Sequence, residues 1–359
     1  MLKPCFLYFF IFPIFLLLNS GCNRHVASKT PLVIYPAPPD TARIQYLTSY
    51  ASSLDVSGKR SALQQTVMGE DLGMPIGKPY GIATAAGKIF ICDATIHGLN
   101  VINLAKKSFT QFVPTGKGQL KLPLNCITDK DGKLYITDAG RNEVVIFDAN
   151  LNYVSAIGKT DTGDHFRPLD ICVSDTKIWV TNPTSNKVNV YQKDSHQLLS
   201  SFPDSSVRDQ VNLYNPVNIY YRNGKIYVTD FGDFKVKIFD EQGKYIRSVG
   251  EYGKSIGQFV RPKGISVDKQ DNLFVVDAGF ENVQIFNNIG KLLMFFGGPY
   301  KGPGDMWLPA KVYIDYDNLQ YYKKWVSSEY KLDYLIFVTN QYGPDKVSVY
   351  GAIKPASGR

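Results

Sequence analysis

Histidine and cysteine are scarce in this chain of 359 residues, with four of the first and five of the second. No C-x-x-C or C-x-x-C-H occurs, which excludes a zinc ribbon and covalent c-type haem attachment. A Walker A loop and a dinucleotide-binding glycine loop are also missing, so phosphate-cradle chemistry has no support. The one long apolar run, residues 6–18, falls short of the roughly 20 residues that span a bilayer as a helix. What is present is 44% hydrophobic, 20% charged and 13% aromatic. That composition supplies ample apolar surface for a core and has no bias toward disorder.

Lys3 ahead of the apolar run and the small residues "NSGC" behind it suit a secretory signal segment, residues 1–21. "LLLNSGC" resembles a bacterial lipobox, which implies lipidation of Cys22 as the first mature residue. Asn19 departs from the pattern, since an aliphatic residue is usual three before the cysteine; the alternative is an ordinary signal peptide cleaved near Gly21. The Pro-rich, polar stretch that follows suits a tether over residues 22–42, lifting a domain off a membrane. Asn23 lacks the acidic signal that retains many lipoproteins at the inner membrane, which favours the outer membrane of a cell envelope.

Loss of residues 1–21 removes one lysine and no acid, taking the formal charge from +8 to +7. An exported basic chain meets acidic lipids, glycans or proteins rather than nucleic acid. Of the cysteines, Cys92, Cys126 and Cys172 lie inside expected strands. They read as buried free thiols acting as small apolar residues, with a single disulfide as the alternative.

Six similar segments begin at Pro79, Pro123, Pro168, Pro216, Pro262 and Pro309, spaced 44, 45, 48, 46 and 47 residues apart. In each, a first strand follows the proline, then a turn such as "RNGK", an aromatic-rich second strand ending in Asp or Asn, and a "VxxF"-like third strand. Most have a weaker fourth strand. The apolar spacing alternates, which excludes a helical solenoid, and a 40–50-residue period with several strands per unit signals a β-propeller. An all-β, six-bladed propeller is therefore expected over residues 43–353, with a tail at 354–359. The sixth unit lacks a convincing fourth strand, while "RIQYLTSYA" precedes the first unit as an orphan. The orphan is expected to complete the last blade and close the ring, removing open strand edges at the seam.

The pattern P-x-G-I…L/I-Y-V-T-D…V-x-I-F-D…G-K resembles the NHL repeat of six-bladed propellers. "PPDTARIQYL" after a lipobox resembles bacterial propeller lipoproteins of that type. The copies from Pro123, Pro216 and Pro262 match well and the other three are degenerate. The resemblance implies the fold; the family contains scaffolds, ligand binders and enzymes, so function must come from the site.

Two rings of positions converge on one channel mouth. Asp93, Asp138, Asn182, Asp230, Asp277 and Asn340 close the second strands, and short Asp or Asn side chains there accept hydrogen bonds from turn N–H groups. They read as architecture. The other ring lies two residues after each proline: Gly81, Asn125, Asp170, Asn218, Gly264 and Lys311. Asn125, Asp170 and Asn218 are candidate oxygen donors for Ca²⁺, with Lys311 beside them, against the alternative of a wet polar channel end. Zinc has too few histidines: His25 is in the tether, and His97, His165 and His196 lack ligand spacing.

The last unit takes 31 residues from proline to turn amide, against 14 or 15 elsewhere. Its insertion carries Tyr321, Tyr322, Lys323, Lys324, Trp325 and Tyr330. If the flanking strands extend, this becomes a projecting, partner-binding hairpin of aromatics and cations; otherwise the aromatics pack back onto the fold. The expected function is a lipid-anchored, monomeric scaffold without cofactor, binding an envelope protein such as a member of an electron-transfer or secretion complex. The alternatives are a Ca²⁺-dependent hydrolase or lyase at the channel mouth, and a carbohydrate- or peptidoglycan-binding module.

Overall fold

A computed structural model describes residues 32–58, 66, 69, 71–158, 166–204 and 211–356. The signal segment, Cys22, the tether through residue 31, and His165 lie outside the described residues. Residues from Leu32 onward form one compact unit. Among the described residues, no helix is long and apolar enough to cross a membrane.

Six antiparallel sheets make up the unit, one for each repeat. Blade 4 shows the plan: Pro216–Arg222, Lys225–Asp230, Lys235–Asp240 and Tyr245–Val249 pair in sequence order. Its first turn is Asn223-Gly224, with φ of 48° and 73°, the left-handed pair that joins two strands whose twist must match. The first strands of successive blades contact one another in cyclic order, and that of blade 6 contacts that of blade 1. The sheets are therefore arranged around a central channel lined by first strands.

Alternation along each strand sends apolar side chains to both faces, and the core lies between neighbouring blades. Trp179 of blade 3, fully buried, packs with Ile219, Ile226 and Val228 of blade 4, and its ring stacks on Tyr221 at 5.0 Å between centroids. Cys92, Cys126 and Cys172 are free and buried in these layers, and burial pushes the Cys92 and Cys172 thiols well up.

The sixth sheet contains the seam. Ile44–Tyr50 pairs antiparallel with Val347–Pro355, in register from Ile44 opposite Ala352 to Tyr50 opposite Val347. The orphan strand is thus the fourth strand of blade 6, and Ile34–Tyr35 adds a fifth outside it. The closing strand and the last strand of the described chain are held together by a hydrogen-bonded ladder.

The insertion of the last repeat is not a projecting hairpin. Its flanking strands stop at Asp315 and resume at Tyr330, and between them lie two short 3-10 turns, Leu319–Tyr321 and Lys323–Trp325. The Asp315 carboxylate sets the first bend, accepting from the N–H groups of Asp317 and Asn318. Tyr322 is 0% exposed, and its hydroxyl meets that of Tyr50 at 2.9 Å. Gln45 of the closing strand donates to the Trp325 carbonyl and accepts from the Ser327 N–H. Tyr321 and Trp325 pack on the same apolar cluster, and Tyr330 is half-buried. Only Lys323 and Lys324, of the six residues assigned to a contact patch, are exposed. Burying Tyr322 fully and the other three rings in part outweighs leaving them in water, so the segment folds back.

Candidate functional site

Where the second strands end, the acid of each repeat joins two loops. Asp138 accepts from Lys121 and Leu122 N–H ahead of its proline, and from Gly140 and Arg141 N–H after its strand, at 2.7–3.0 Å. Asp277 repeats the arrangement with Val260, Arg261, Gly279 and Phe280. Asp93 holds Gly77, Lys78 and Thr95. Burial by itself would raise the Asp93 carboxyl, but the Thr95 hydroxyl and these N–H groups outweigh it and hold it below the usual carboxylate range. Asp230 takes Tyr214 and Asn215 N–H and the buried ammonium of Lys237 at 2.8 Å. In the two amide copies, Asn182 and Asn340 each accept one N–H, from Arg167 and Trp307. The clamp therefore reaches backward to the loop that enters the blade as well as forward into the turn.

The inner ring is crossed by an ion pair. Lys311 of blade 6 places its ammonium 2.5 Å from Asp170 Oδ2 of blade 3, with both side chains almost fully buried. The same oxygen accepts from Asn218 Nδ2 at 2.9 Å and Ile219 N–H at 3.0 Å, while Oδ1 accepts from Ile171 N–H. Asn125 turns its amide N–H to the Leu169 carbonyl. These residues do not fit Ca²⁺. The single carboxylate is already compensated by an ammonium, and Asn218 turns its N–H group to that carboxylate where a metal needs an oxygen. Among the described residues, no cluster of three His, Cys, Asp or Glu could hold a metal ion. His97 meets the Lys121 carbonyl and His196 faces Ser155, so the two are far apart in use. Two residues below the bar on the channel side of their strands stand Tyr220 and Tyr313, whose phenols burial pushes up.

Above the bar, the structure shows a ring that the repeat pattern hides. In five blades the ladder slips directly after the proline, as between Pro216 and Asn218 or between Pro309 and Lys311. A bulge re-aims the extra residue, so the position after the proline faces the mouth instead of alternating away from it. Tyr80, Leu124, Leu169, Val217, Lys263 and Ala310, the six copies of that position, all line a cavity of about 260 Å³. Asn125 and Asn218 form its floor, and Phe231 and Arg261 lie at its edge. Thr137, Thr229 and Thr339 pin the carbonyls of Leu169, Lys263 and Tyr80 in the next blade at 2.9, 2.8 and 2.5 Å, which fixes the collar. Lys263 breaks an otherwise apolar and aromatic series. Burial first, then repulsion from Arg261 and Lys78, lowers its ammonium to about 8. The sequence signal was available: one lysine among Tyr, Leu, Leu, Val and Ala at a single repeat position.

A family model described as "6-bladed beta-propeller" matches residues 206–351. The chain is 28% identical over 138 residues to the protein brain tumor of Drosophila melanogaster, a stretch that covers 38% of this chain and 13% of that protein. It is 27% identical over 93 residues to the human E3 ubiquitin-protein ligase NHLRC1, covering 25% of this chain and 24% of the ligase. The chain thus spans less than a quarter of the length of either relative. Among solved structures, a gluconolactonase from Xanthomonas campestris superposes with a TM-score of 0.57 at 14% identity, over 92% of this chain and 96% of its own. A streptogramin B lyase gives 0.54 at 13% identity, over 78% and 85%. At such identities the likeness is one of fold. The chain is a six-bladed β-propeller built from NHL-like repeats.

Proposed function

We propose that this protein is a lipid-anchored, non-enzymatic propeller that presents its mouth-side face to a protein partner in the bacterial cell envelope. One observation carries the reading: the Asp and Asn groups repeated around the mouth are engaged in holding loops, and those loops display aromatic side chains. Tyr214, Trp307 and Tyr342 are 58%, 49% and 48% exposed on segments clamped by Asp230 and Asn340. Lys78 sits 5.5 Å from the Tyr342 ring. Rigid aromatic anchors beside cations are the residues that contribute most at protein interfaces. Lys311 engages Asp170, the one carboxylate of the hydrolase alternative, and Tyr322 of the aromatic insertion is buried, which weighs against both alternatives.

The test is a photo-crosslinking residue placed at Tyr214, Trp307 or Lys324 of the chain in its native envelope. A shared crosslinked protein from Tyr214 and Trp307, absent from Lys324, is the expected result. Crosslinks from Lys324 alone, or none from any position, overturn the reading. Replacing Cys22 by serine is expected to move the chain from the membrane to the soluble fraction; retention on the membrane removes the anchor from the proposal.

A further inference from the structure

Positive charge gathers at the cavity of the channel mouth, where Lys263 and Arg261 both line the wall. Lys263, Arg261 and Lys78 repel one another across its edge, and among the described residues none of the three forms an ion pair. Asp93 and Asp277 accept from the backbone N–H groups of Lys78 and Arg261 and, among the described residues, form no ion pair with the side-chain cations. Holding like charges together around a partly desolvated hollow is unfavourable unless an anion enters it. Lys263 also lies 5.9 Å from the Tyr80 ring, with its stem along the collar.

Two further features describe that anion. Its surroundings are apolar on one side, where Leu124, Leu169 and Val217 line the cavity, so a fully hydrated inorganic ion would leave that wall unpartnered. The cavity, at about 260 Å³, lies below the ~300–1,000 Å³ of pockets that take drug-sized ligands, so the ligand is smaller than those.

We infer that the channel mouth binds a small organic carboxylate. The carboxylate sits on Lys263 and Arg261, and the apolar body lies on the leucine and valine collar. The site lies inside the rim formed by Tyr214 and Trp307, and its occupancy does not depend on a protein partner being present.

The probe is 3-phenyllactate, which joins a carboxylate, a hydroxyl and one ring, titrated into the purified chain by calorimetry. Its methyl ester and inorganic phosphate serve as the uncharged and the collar-free comparisons. Saturable 1:1 binding of 3-phenyllactate is expected, with the ester and phosphate each at least tenfold weaker. Lys263→Met is expected to weaken binding tenfold or more, and Lys263→Arg to retain it within about threefold; circular dichroism confirms that both fold. Equal binding of acid and ester, equal binding of phosphate, absence of 3-phenyllactate binding, or indifference to Lys263→Met overturns the inference. Crosslinking at Tyr214 is unaffected by any of these results, so this site and the partner-binding face stand or fall separately.

Discussion

The ammonium of Lys311 in blade 6 and the carboxylate of Asp170 in blade 3 meet 2.5 Å apart, across the channel from one another and 141 residues apart in sequence. An ion pair in this setting is costly to desolvate and still more costly to break, because the survivor is left charged and buried. Lys311→Met is therefore expected to cost about 3–5 kcal/mol, read as a lower urea midpoint. Replacing both partners, Lys311→Met with Asp170→Leu, should recover at least half of that loss. A double variant no more stable than the single one would show that Asp170 is held adequately by Asn218 and the backbone alone.

The clamps give a pH signature. The Asp93 carboxyl is held below its ordinary range in the folded chain, so its stabilisation is fully present above the unfolded value and is lost as pH falls through the lower folded value. Asp93→Asn keeps the shape of the side chain and one accepting oxygen. It should cost roughly 1–3 kcal/mol at pH 7, and the gap from the unaltered chain should narrow below about pH 4. Urea unfolding at pH 7 and pH 3 measures both gaps; a gap that does not shrink with acid would sink the assignment.

Much of this architecture is legible in the chain. The proline spacing and the alternation inside each unit define six blades, and six Asp or Asn residues at one position mark a turn requirement. The mouth is another matter. Alternation assigns Asn125, Asp170, Asn218 and Lys311 to the channel and sends their neighbours away, yet the bulge after the proline brings Leu124, Val217 and Lys263 to the mouth as well. A bulge is a one-residue slip of register, invisible to a two-residue period. Pairing across the channel is hidden for a different reason. Reading down the ring shows a lone lysine at position 311 and a lone aspartate at 170, but only closure of the ring makes blades 3 and 6 face each other.

The last-blade insertion left two readings open in the sequence, a projecting patch or back-packing, and the structure packs Tyr322 into the core with Tyr321 and Trp325 partly buried against it. Tyr322→Ala should cost about 3–5 kcal/mol, the usual range for removing a buried large ring. Tyr322→Phe, which loses only the hydroxyl contact with Tyr50, should cost about 1 kcal/mol. Lys323→Ala with Lys324→Ala should leave the thermal midpoint unchanged, as both lysines are exposed. Comparable losses for the tyrosine and the lysine variants in a thermal scan would contradict the packed arrangement.

Lys263 supplies the last prediction. Burial, with Arg261 and Lys78 beside it, brings its ammonium down to about 8, while the unfolded chain keeps the ordinary lysine value of 10.5. Below pH 8 the folded state carries a charge it disfavours; between about pH 8 and 10 it sheds that proton while the unfolded state still holds it. The folded state therefore binds fewer protons across that window, and the lysine's burden on stability falls as pH rises. Lys263→Met should be more stable than the unaltered chain at pH 7, by no more than ~3 kcal/mol, and the advantage should shrink by pH 10. Saturating 3-phenyllactate supplies the missing counter-charge and should shrink it at pH 7 as well. Urea midpoints of the two chains, with and without the acid, decide the matter: an advantage that grows with pH, or one that the acid leaves untouched, is incompatible with an unpaired ammonium at the mouth.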